Sequence, residues 1–294
     1  MLYLGRRRAW NGPMTSHSRS GSPAAVFHAL HDGAAPLVLV NVWDVASARL
    51  VEEAGAAALA TSSSALSWSL GFPDGNHLPR ELAVAALRRI AASTELPVTA
   101  DIESGYADRG GTFDDGELRE TIRSVLAAGA VGINLEDSGD EPLTDVGEQA
   151  RRIAVVRRAA EEAGVDLFIN ARTDTYLSGR FADSAFTETL RRADAYLAAG
   201  ANGIFVPGVQ DLHVLHDLSR RIAGPLNALA GLGAPSVGEL HDAGVRRISI
   251  GGNTAKAAYA TVSRVAGDVL GDGNWSELAG ARSHEAMDEL FRRS

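Results

Sequence analysis

Asp101 and Glu103 stand two residues apart at the end of a short apolar run, in the stretch Pro97-Val-Thr-Ala-Asp-Ile-Glu-Ser-Gly-Tyr106. Alternate residues of a strand face the same side, so if extended geometry continues through both acids their carboxylates point together. Two carboxylates beside a glycine turn suit a hard cation such as Mg2+, which takes oxygen ligands and keeps waters for itself. The plainer reading is an aspartate that caps the turn after a strand. This stretch alone leaves both open.

The same handover from apolar run to polar cluster recurs along the chain. Glu136 and Asp137 close one run, and Asn170, Arg172, Thr173 and Asp174 close the next. Asn41, Trp43 and Asp44 end the first run, Ser62, Ser63 and Ser64 the second, and Asn227 lies in the seventh. Asp101, Glu103 and Glu136 form an all-oxygen set with no histidine or thiolate beside it, which favours Mg2+ or Mn2+ over zinc. Arg172 can hold a substrate carboxylate in a two-pronged hydrogen bond. The alternative is that Glu136 and Arg172 pair as a buried salt bridge at the rim. Trp43 and Asp44 are placed on the substrate side of the same mouth.

What positions these groups is a repeat. Glu53-Ala54-Gly55, Ala128-Gly129-Ala130, Glu162-Ala163-Gly164, Ala199-Gly200-Ala201 and Asp242-Ala243-Gly244 each precede an apolar stretch. The glycine suits the left-handed position that ends a helix, and the stretches that follow suit core strands: Ala58 to Thr61, Gly132 to Leu135, Asp166 to Asn170, Gly203 to Val206 and Ile248 to Ile250. Leu37 to Val42, Pro97 to Ala100 and Pro225 to Ala228 bring the strands to eight. Asp114-x-x-Glu117 and Ser236-x-x-Glu239 have capping-box spacing. Eight βα units predict an α/β fold, a TIM-type (β/α)8 barrel, whose chemistry sits at the C-terminal ends of its strands. No Gly-x-Gly-x-x-Gly follows the first strand, which disfavours a dinucleotide-binding sheet. Residues 1–21, rich in Arg, Ser and Gly, read as a disordered tail. Ser22-Pro23 opens a short helix, through about Leu30, read as a lid before the barrel. The barrel spans 22–270. A helical extension over 271–294 exceeds what a barrel needs and reads as an oligomer contact.

Composition narrows the partners. The 294 residues carry a formal net charge of -9, the wrong sign for neutralising phosphates, so no nucleic-acid partner is expected. No apolar run reaches the length of a membrane span, and Arg6-Arg7-Arg8 is not followed by the apolar stretch of a signal peptide. A cytoplasmic location without a membrane partner is the expectation. The chain has no cysteine, which removes disulfides, thiolate metal sites and any cysteine acid or nucleophile. Lys256 is the only lysine.

Asn41-Val-Trp-Asp44, Ser62 onward into Leu70-Gly71-Phe-Pro-Asp74, Asp101-x-Glu-Ser-Gly-Tyr106, Asn134-Leu-Glu-Asp137 and Asn170-Ala-Arg-Thr-Asp174 together resemble the isocitrate lyase and phosphoenolpyruvate mutase superfamily. The likeness runs from Leu37 to about Leu270. It implies a Mg2+ (or Mn2+) held directly by Asp101 and through waters by Glu103 and Glu136. It implies that Asp74 approaches from a loop after the second strand, that Ser62 and Ser63 donate to a substrate carboxylate, that Arg172 binds and polarises the 2-oxo acid end, and that Asn227 touches the far end. A C-terminal helix exchanged between subunits of a dimer or tetramer is implied as well.

Departures from the family narrow the chemistry. Its lyases carry a Lys-Lys-Cys-Gly-His loop after the fourth strand. Here that loop reads Glu136-Asp-Ser-Gly-Asp-Glu-Pro-Leu-Thr144, with Ser138, Asp140 and Glu141 where the leaving-group residues would stand. Mutase members use a lysine, an asparagine and a serine in that loop and a histidine near the sixth strand, where this chain has Val206-Pro207-Gly208. The metal and oxo-acid half of the site survives. The expected function is therefore Mg2+-dependent C–C lysis or hydrolysis, such as decarboxylation, of a small 2-oxo or 2-hydroxy carboxylate through an enolate. The alternatives are P–C chemistry of the mutase or phosphonopyruvate hydrolase type, and an inactive barrel that binds an oxo acid. Outside this family, Gly251-Gly252-Asn253-Thr254 suggests a phosphate cradle, and Lys256 a Schiff-base aldolase.

Overall fold

The computed structural model describes residues 21–107, 113–138, 143–181 and 184–292. The strands are β1 (Leu37–Leu39), β2 (Asn41–Val42), β3 (Leu59–Thr61), β4 (Val98–Asp101), β5 (Gly132–Glu136), β6 (Phe168–Arg172), β7 (Gly203–Val206), β8 (Leu226–Leu229) and β9 (Arg247–Ser249). All pair in parallel in the order β1-β9-β8-β7-β6-β5-β4-β3-β2.

The expected first strand, Leu37 to Val42, is thus two segments. β1 pairs with β9 and β2 pairs with β3, so one chain segment closes an eight-stranded barrel by changing neighbours at Val40. The side chain of Asn41 spans this seam: its Nδ2 donates to the Thr61 carbonyl at 2.8 Å, and its Oδ1 accepts from the N–H groups of Ile250 and Gly251 at 3.0 and 2.8 Å. β5 and β6 run one and two residues beyond their expected ends, carrying Glu136 and Arg172 as paired strand residues.

The helices are α1 (Pro23–His31), α2 (Val45–Glu53), α3 (Ser63–Ser69), α4 (Arg80–Ala91), α5 (Asp115–Ala127), α6 (Val146–Glu162), α7 (Ala185–Ala198), α8 (Leu212–Arg221), α9 (Val237–Asp242), α10 (Asn253–Gly267) and α11 (His284–Arg292). All five glycines of the repeated phrase take positive φ, between 70° and 106°, as a helix end that turns into a strand requires. The box at Ser236 and Glu239 forms. At α5 only half of it does: Asp114 caps Gly116 and Glu117, while the Glu117 carboxylate pairs with Arg80 at 2.9 Å. The longer-range ion pair takes the side chain that a capping box would have used.

Helix α1 is not a lid over the mouth. His28 Nε2 donates to the Asp166 carbonyl just before β6, and Phe27 meets Phe168, the first residue of β6, edge-on with ring centres 5.6 Å apart. A Cβ on Gly132, which starts β5, would lie 2.6 Å from Phe27 Cε1. The helix therefore plugs the N-terminal end of the barrel, opposite the strand ends that carry the acids. An apolar face carrying Ala24 and Phe27 is best buried where the barrel exposes apolar side chains, and that is its floor.

His31 in this plug stacks on Phe168 at 3.9 Å and donates Nδ1–H to the Phe27 carbonyl. Burial, helped by the nearby Arg247 charge, lowers its pKa from 6.5 to about 3. The folded protein holds this imidazole neutral, whereas the unfolded chain protonates it near pH 6.5. Its stabilisation is thus complete above pH 6.5 and is lost as pH falls from there towards 3, by about 1.4 kcal/mol per pH unit. In urea denaturation at pH 6.5 and 4.5, wild type is expected to lose about 2 kcal/mol more than His31→Phe, which keeps the ring and cannot titrate; parallel losses would refute it.

Beyond Ala255, α10 stands clear of the barrel, and Val262, Leu270 and Trp275 are 64, 86 and 66 % exposed. The chain then returns through a short 3-10 turn, Ser276–Leu278, to α11, whose Leu290 is buried and whose neighbour Arg282 pairs with Glu53 at the end of α2. The helical extension expected over 271–294 is therefore α-helical only in α11, with the 3-10 turn before it. Among the described residues, no helix is long and apolar enough to cross a membrane.

Candidate active site

Asp101 is the last residue of β4. Its Oδ2 accepts from the N–H and the hydroxyl of Ser63, at 3.1 and 2.8 Å, and its own N–H donates to Thr61 Oγ1 at 3.0 Å. The carboxylate thus sits against the first turn of α3, where the helix dipole favours negative charge. Ser62 is the N-cap of α3, with its Oγ 3.4 Å from Ala65 N and 3.0 Å from Ser64 Oγ. Ser63 is tied to Asp101 rather than free to meet a substrate.

Glu103 does not continue the strand. Its φ of 51° is left-handed, in a turn closed by the Gly105 N–H on the Ile102 carbonyl. Gly105 sits so close to α5 that a Cβ there would come 2.6 Å from Leu118 Cδ1. The premise of alternating strand positions fails, and the turn itself delivers Glu103 to the acids. The residue is 1 % exposed, its Oε2 accepts from the Asn76 N–H, and its Oε1 is buried without a hydrogen-bond partner. Burial first, then the charge of Asp101, push its pKa up to about 8, with Glu136 and Asp74 adding to the rise.

Glu136 ends β5 directly opposite Arg172 of β6, and Glu136 Oε2 lies 2.6 Å from Arg172 Nη1. Burial raises the Glu136 pKa, Arg172 opposes that, and Asp101 reinforces it. Arg172 also gives Nε and Nη2 to the two oxygens of Asp174, at 2.7 and 2.8 Å. The rim salt bridge forms, and the two-pronged grip goes to Asp174. Sequence reasoning missed this role of Asp174; its signal is the Arg-x-Asp spacing at the end of β6.

Asp74 lies in the loop before α4. Its pKa is raised by burial and then by Asp101, and lowered by Arg172 and a Ser63 hydrogen bond, so it shares the mouth with those three residues. Asn76, from the same loop, also accepts from the Ser104 hydroxyl at 2.8 Å. The loop is thereby sewn to the turn that carries Glu103. The Tyr106 hydroxyl is buried without a partner, its pKa raised by burial and then by Glu103, Asp101, Glu136 and Asp74.

The remaining expected residues have the following partners. Asp44 is the N-cap of α2 in a reciprocal box with Ser47, accepting its N–H at 2.6 Å. Trp43 packs beside Leu66 and Leu78, with Tyr259 of α10 at 6.4 Å between ring centres. Asn227 is wholly buried inside the barrel on Ser249. Asp137 turns away from the mouth, fully buried on Arg192 and Tyr196. Asp140 and Glu141 lie outside the described residues. Asn41 takes the N–H groups of Ile250 and Gly251 that a phosphate cradle after β9 would need. Lys256 is on α10, with Nζ 5.7 Å from the Trp68 ring centre, not on a strand end.

Asp74, Asp101, Glu103 and Glu136 therefore form one acidic cluster with Arg172 at its edge. Among the described residues no three such side chains close into a metal cage. The cluster fits a hydrated cation that takes few direct ligands: all donors are oxygen, Asp101 raises the pKa of Asp74, Glu103 and Glu136, and Glu103 Oε1 lacks a partner.

Residues 27–270 match the family profile of phosphoenolpyruvate phosphomutase. A solved structure of a candidate phosphonomutase of Burkholderia cenocepacia is 44 % identical, covering 83 % of this chain and 98 % of that one, with a TM-score of 0.78. An uncharacterized protein of Mycobacterium tuberculosis is 38 % identical over 76 % of this chain and 81 % of its own. Oxaloacetate decarboxylase of Rhodopseudomonas palustris is 28 % identical over 96 % of this chain and 95 % of its own. The wider superfamily holds lyases, oxaloacetate decarboxylases and hydrolases, phosphonopyruvate hydrolase and phosphoenolpyruvate mutase, and its members generally use a divalent metal such as Mg2+. With more than half its length under one profile, the chain belongs to the phosphoenolpyruvate phosphomutase family, within the isocitrate lyase and phosphoenolpyruvate mutase superfamily.

Proposed function

We propose that this protein is a Mg2+-dependent enzyme that breaks the C–C bond one carbon removed from the oxo carbon (C3–C4) of a small 2-oxo carboxylate, with decarboxylation of an oxaloacetate-like diacid as the reaction that fits best. The observation that carries this reading is the four-acid cluster with Arg172 at its edge, in a chain without cysteine. Asp101, Glu103 and Glu136 would hold the cation, which supplies a Lewis acid to the substrate's carboxylate and oxo oxygens. Arg172 then orients the oxo-acid end, and the loop bearing Asp74 and Asn76 covers the site and limits water. As the C–C bond breaks, its electron pair moves towards the oxo oxygen, leaving an enolate and carbon dioxide; a solvent proton then returns to carbon. No side-chain acid is needed for that last step, which suits the absence of the lyases' cysteine.

The test is a Mg2+-dependent screen over oxaloacetate, 2-methylisocitrate and phosphonopyruvate. Turnover of oxaloacetate, inhibited by oxalate as a planar mimic of the enolate, is expected. Turnover of phosphonopyruvate alone would transfer the assignment to P–C chemistry, which the family match and the Burkholderia likeness favour. Oxalate binding without turnover of any of the three would leave a binding barrel.

Assembly belongs to the same proposal: a homo-oligomer that exchanges its C-terminal helices. Val262 and Leu270 expose apolar side chains on and just after α10, a surface that costs free energy unless covered. Light scattering after size exclusion is expected to give a dimer or tetramer for wild type and a smaller species for Val262→Glu/Leu270→Glu. A wild-type monomer would refute it.

A further inference from the structure

Arg172 is committed on three nitrogens. Nε and Nη2 pair with Asp174, at 2.7 and 2.8 Å, and Nη1 pairs with Glu136 at 2.6 Å. Asp174, only 6 % exposed, is itself anchored from behind. Its N–H donates to Asp137 Oδ1 at 3.0 Å, and Asp137 Oδ2 accepts from Arg192 Nη1 at 2.8 Å and from the Tyr196 hydroxyl at 2.7 Å. Arg192 also donates to the Thr144 carbonyl, at 2.8 Å, and to Glu188. A chain of charge-assisted bonds therefore runs from α7, through the end of β5, to the guanidinium at the mouth.

We infer that Asp174 is a positioning residue that fixes the plane of the Arg172 guanidinium, so that a substrate carboxylate meets only its Nη1 side while the Nε/Nη2 fork stays with the protein. Side-chain rotation about the guanidinium bonds would otherwise cost affinity, because an unrestrained arginine loses that freedom when ligand binds. A fork already engaged in a buried two-pronged pair loses little more. The arrangement also assigns Asp137 a purpose that its place beside Glu136 conceals: it faces α7 and holds Asp174 by the backbone. This inference rests on the proposed reading of Arg172 as the oxo-acid anchor.

Asp174→Asn is close to isosteric, and its amide can accept from only one of the two Arg172 nitrogens. Three measurements on the full chain test the inference. In side-chain 15N NMR, with Arg172 assigned by comparison with Arg172→Lys, wild type is expected to show slow rotation of the guanidinium and Asp174→Asn fast rotation. Calorimetry with Mn2+ alone is expected to give affinities within about twofold of each other, and oxalate titrated into the Mn2+ form to bind about tenfold more weakly to Asp174→Asn, the loss of one charge-assisted bond. Tyr196→Phe leaves the Asp174 carboxylate in place and loosens only its support, so a smaller oxalate loss in the same direction is expected, and this variant decides if Asp174→Asn does not fold. Unchanged oxalate affinity, or Mn2+ affinity falling in step with oxalate, would overturn the inference. If wild type binds no oxalate, the proposed function fails and the NMR decides this point alone: fast rotation in wild type overturns it, slow rotation released by Asp174→Asn upholds it.

Discussion

Asp101→Ala is expected to lose all Mg2+-dependent turnover and to weaken Mn2+ binding by about a hundredfold or more, while the protein stays as stable as wild type or gains up to about 1 kcal/mol. The two halves of this expectation share a cause. Asp101 raises the pKa of Asp74, Glu103 and Glu136, so without a cation it is a repulsive neighbour to three acids, and removing it relieves that repulsion. Against that stand its two bonds from Ser63, each worth about 1 kcal/mol net or somewhat more for an ionised acceptor, and its attraction for Arg172 and Arg247. Near-cancellation follows, and only the cation's grip disappears. Calorimetry with Mn2+ and urea denaturation of the same variant separate the terms. Turnover surviving in Asp101→Ala would remove the metal assignment; a loss of 3 kcal/mol or more, on the order of a broken buried pair, would instead mark Asp101 as a structural anchor for α3.

Arg192→Ala should act the other way, destabilising the fold by about 3–5 kcal/mol. Arg192 is 4 % exposed and pairs at 2.8 Å with Asp137, which is 0 % exposed. Truncating the arginine leaves a carboxylate in the interior whose pKa burial already raises. Tyr196 and the Asp174 N–H still donate to it, which keeps the cost below that of a bare buried charge. The same truncation frees the Thr144 carbonyl and so loosens the segment that follows the undescribed part of the β5–α6 loop. Urea denaturation with an unchanged m-value checks the figure. A change below about 1 kcal/mol would mean that solvent reaches Asp137 and that the cluster does not hold the rim.

The barrel was legible because its signals are local. Five helices end on a glycine in the left-handed region, and an apolar run follows each as a strand; both depend on neighbours in sequence and survive any tertiary detail. What was not legible is where locally similar residues face. Asp101 and Asp137 each end or follow a strand run, yet one looks into the mouth and the other into α7. Asp44 sits at the end of the first strand like a ligand and caps α2 instead, because the next residue starts a helix whose first N–H groups need an acceptor. Asn227, expected at the substrate's far end, lies one residue into β8 and is sealed inside the barrel with Ser249. The first strand looked continuous because a change of partners leaves no mark on the hydrophobic pattern.

At Asp101 and Glu103 the division is plain. Residue types and repeat spacing are properties of the chain, and they alone put an all-oxygen cluster without thiol or lysine at one end of a barrel. Packing in three dimensions brings Glu103 in through a left-handed turn pressed against Leu118, carries Asn76 across from another loop to bind it, and gives the Arg172 fork to Asp174. These are contacts between segments far apart in sequence, or reversals set by how closely two elements pack. They depend on distances of a few tenths of an ångström, which no periodicity records.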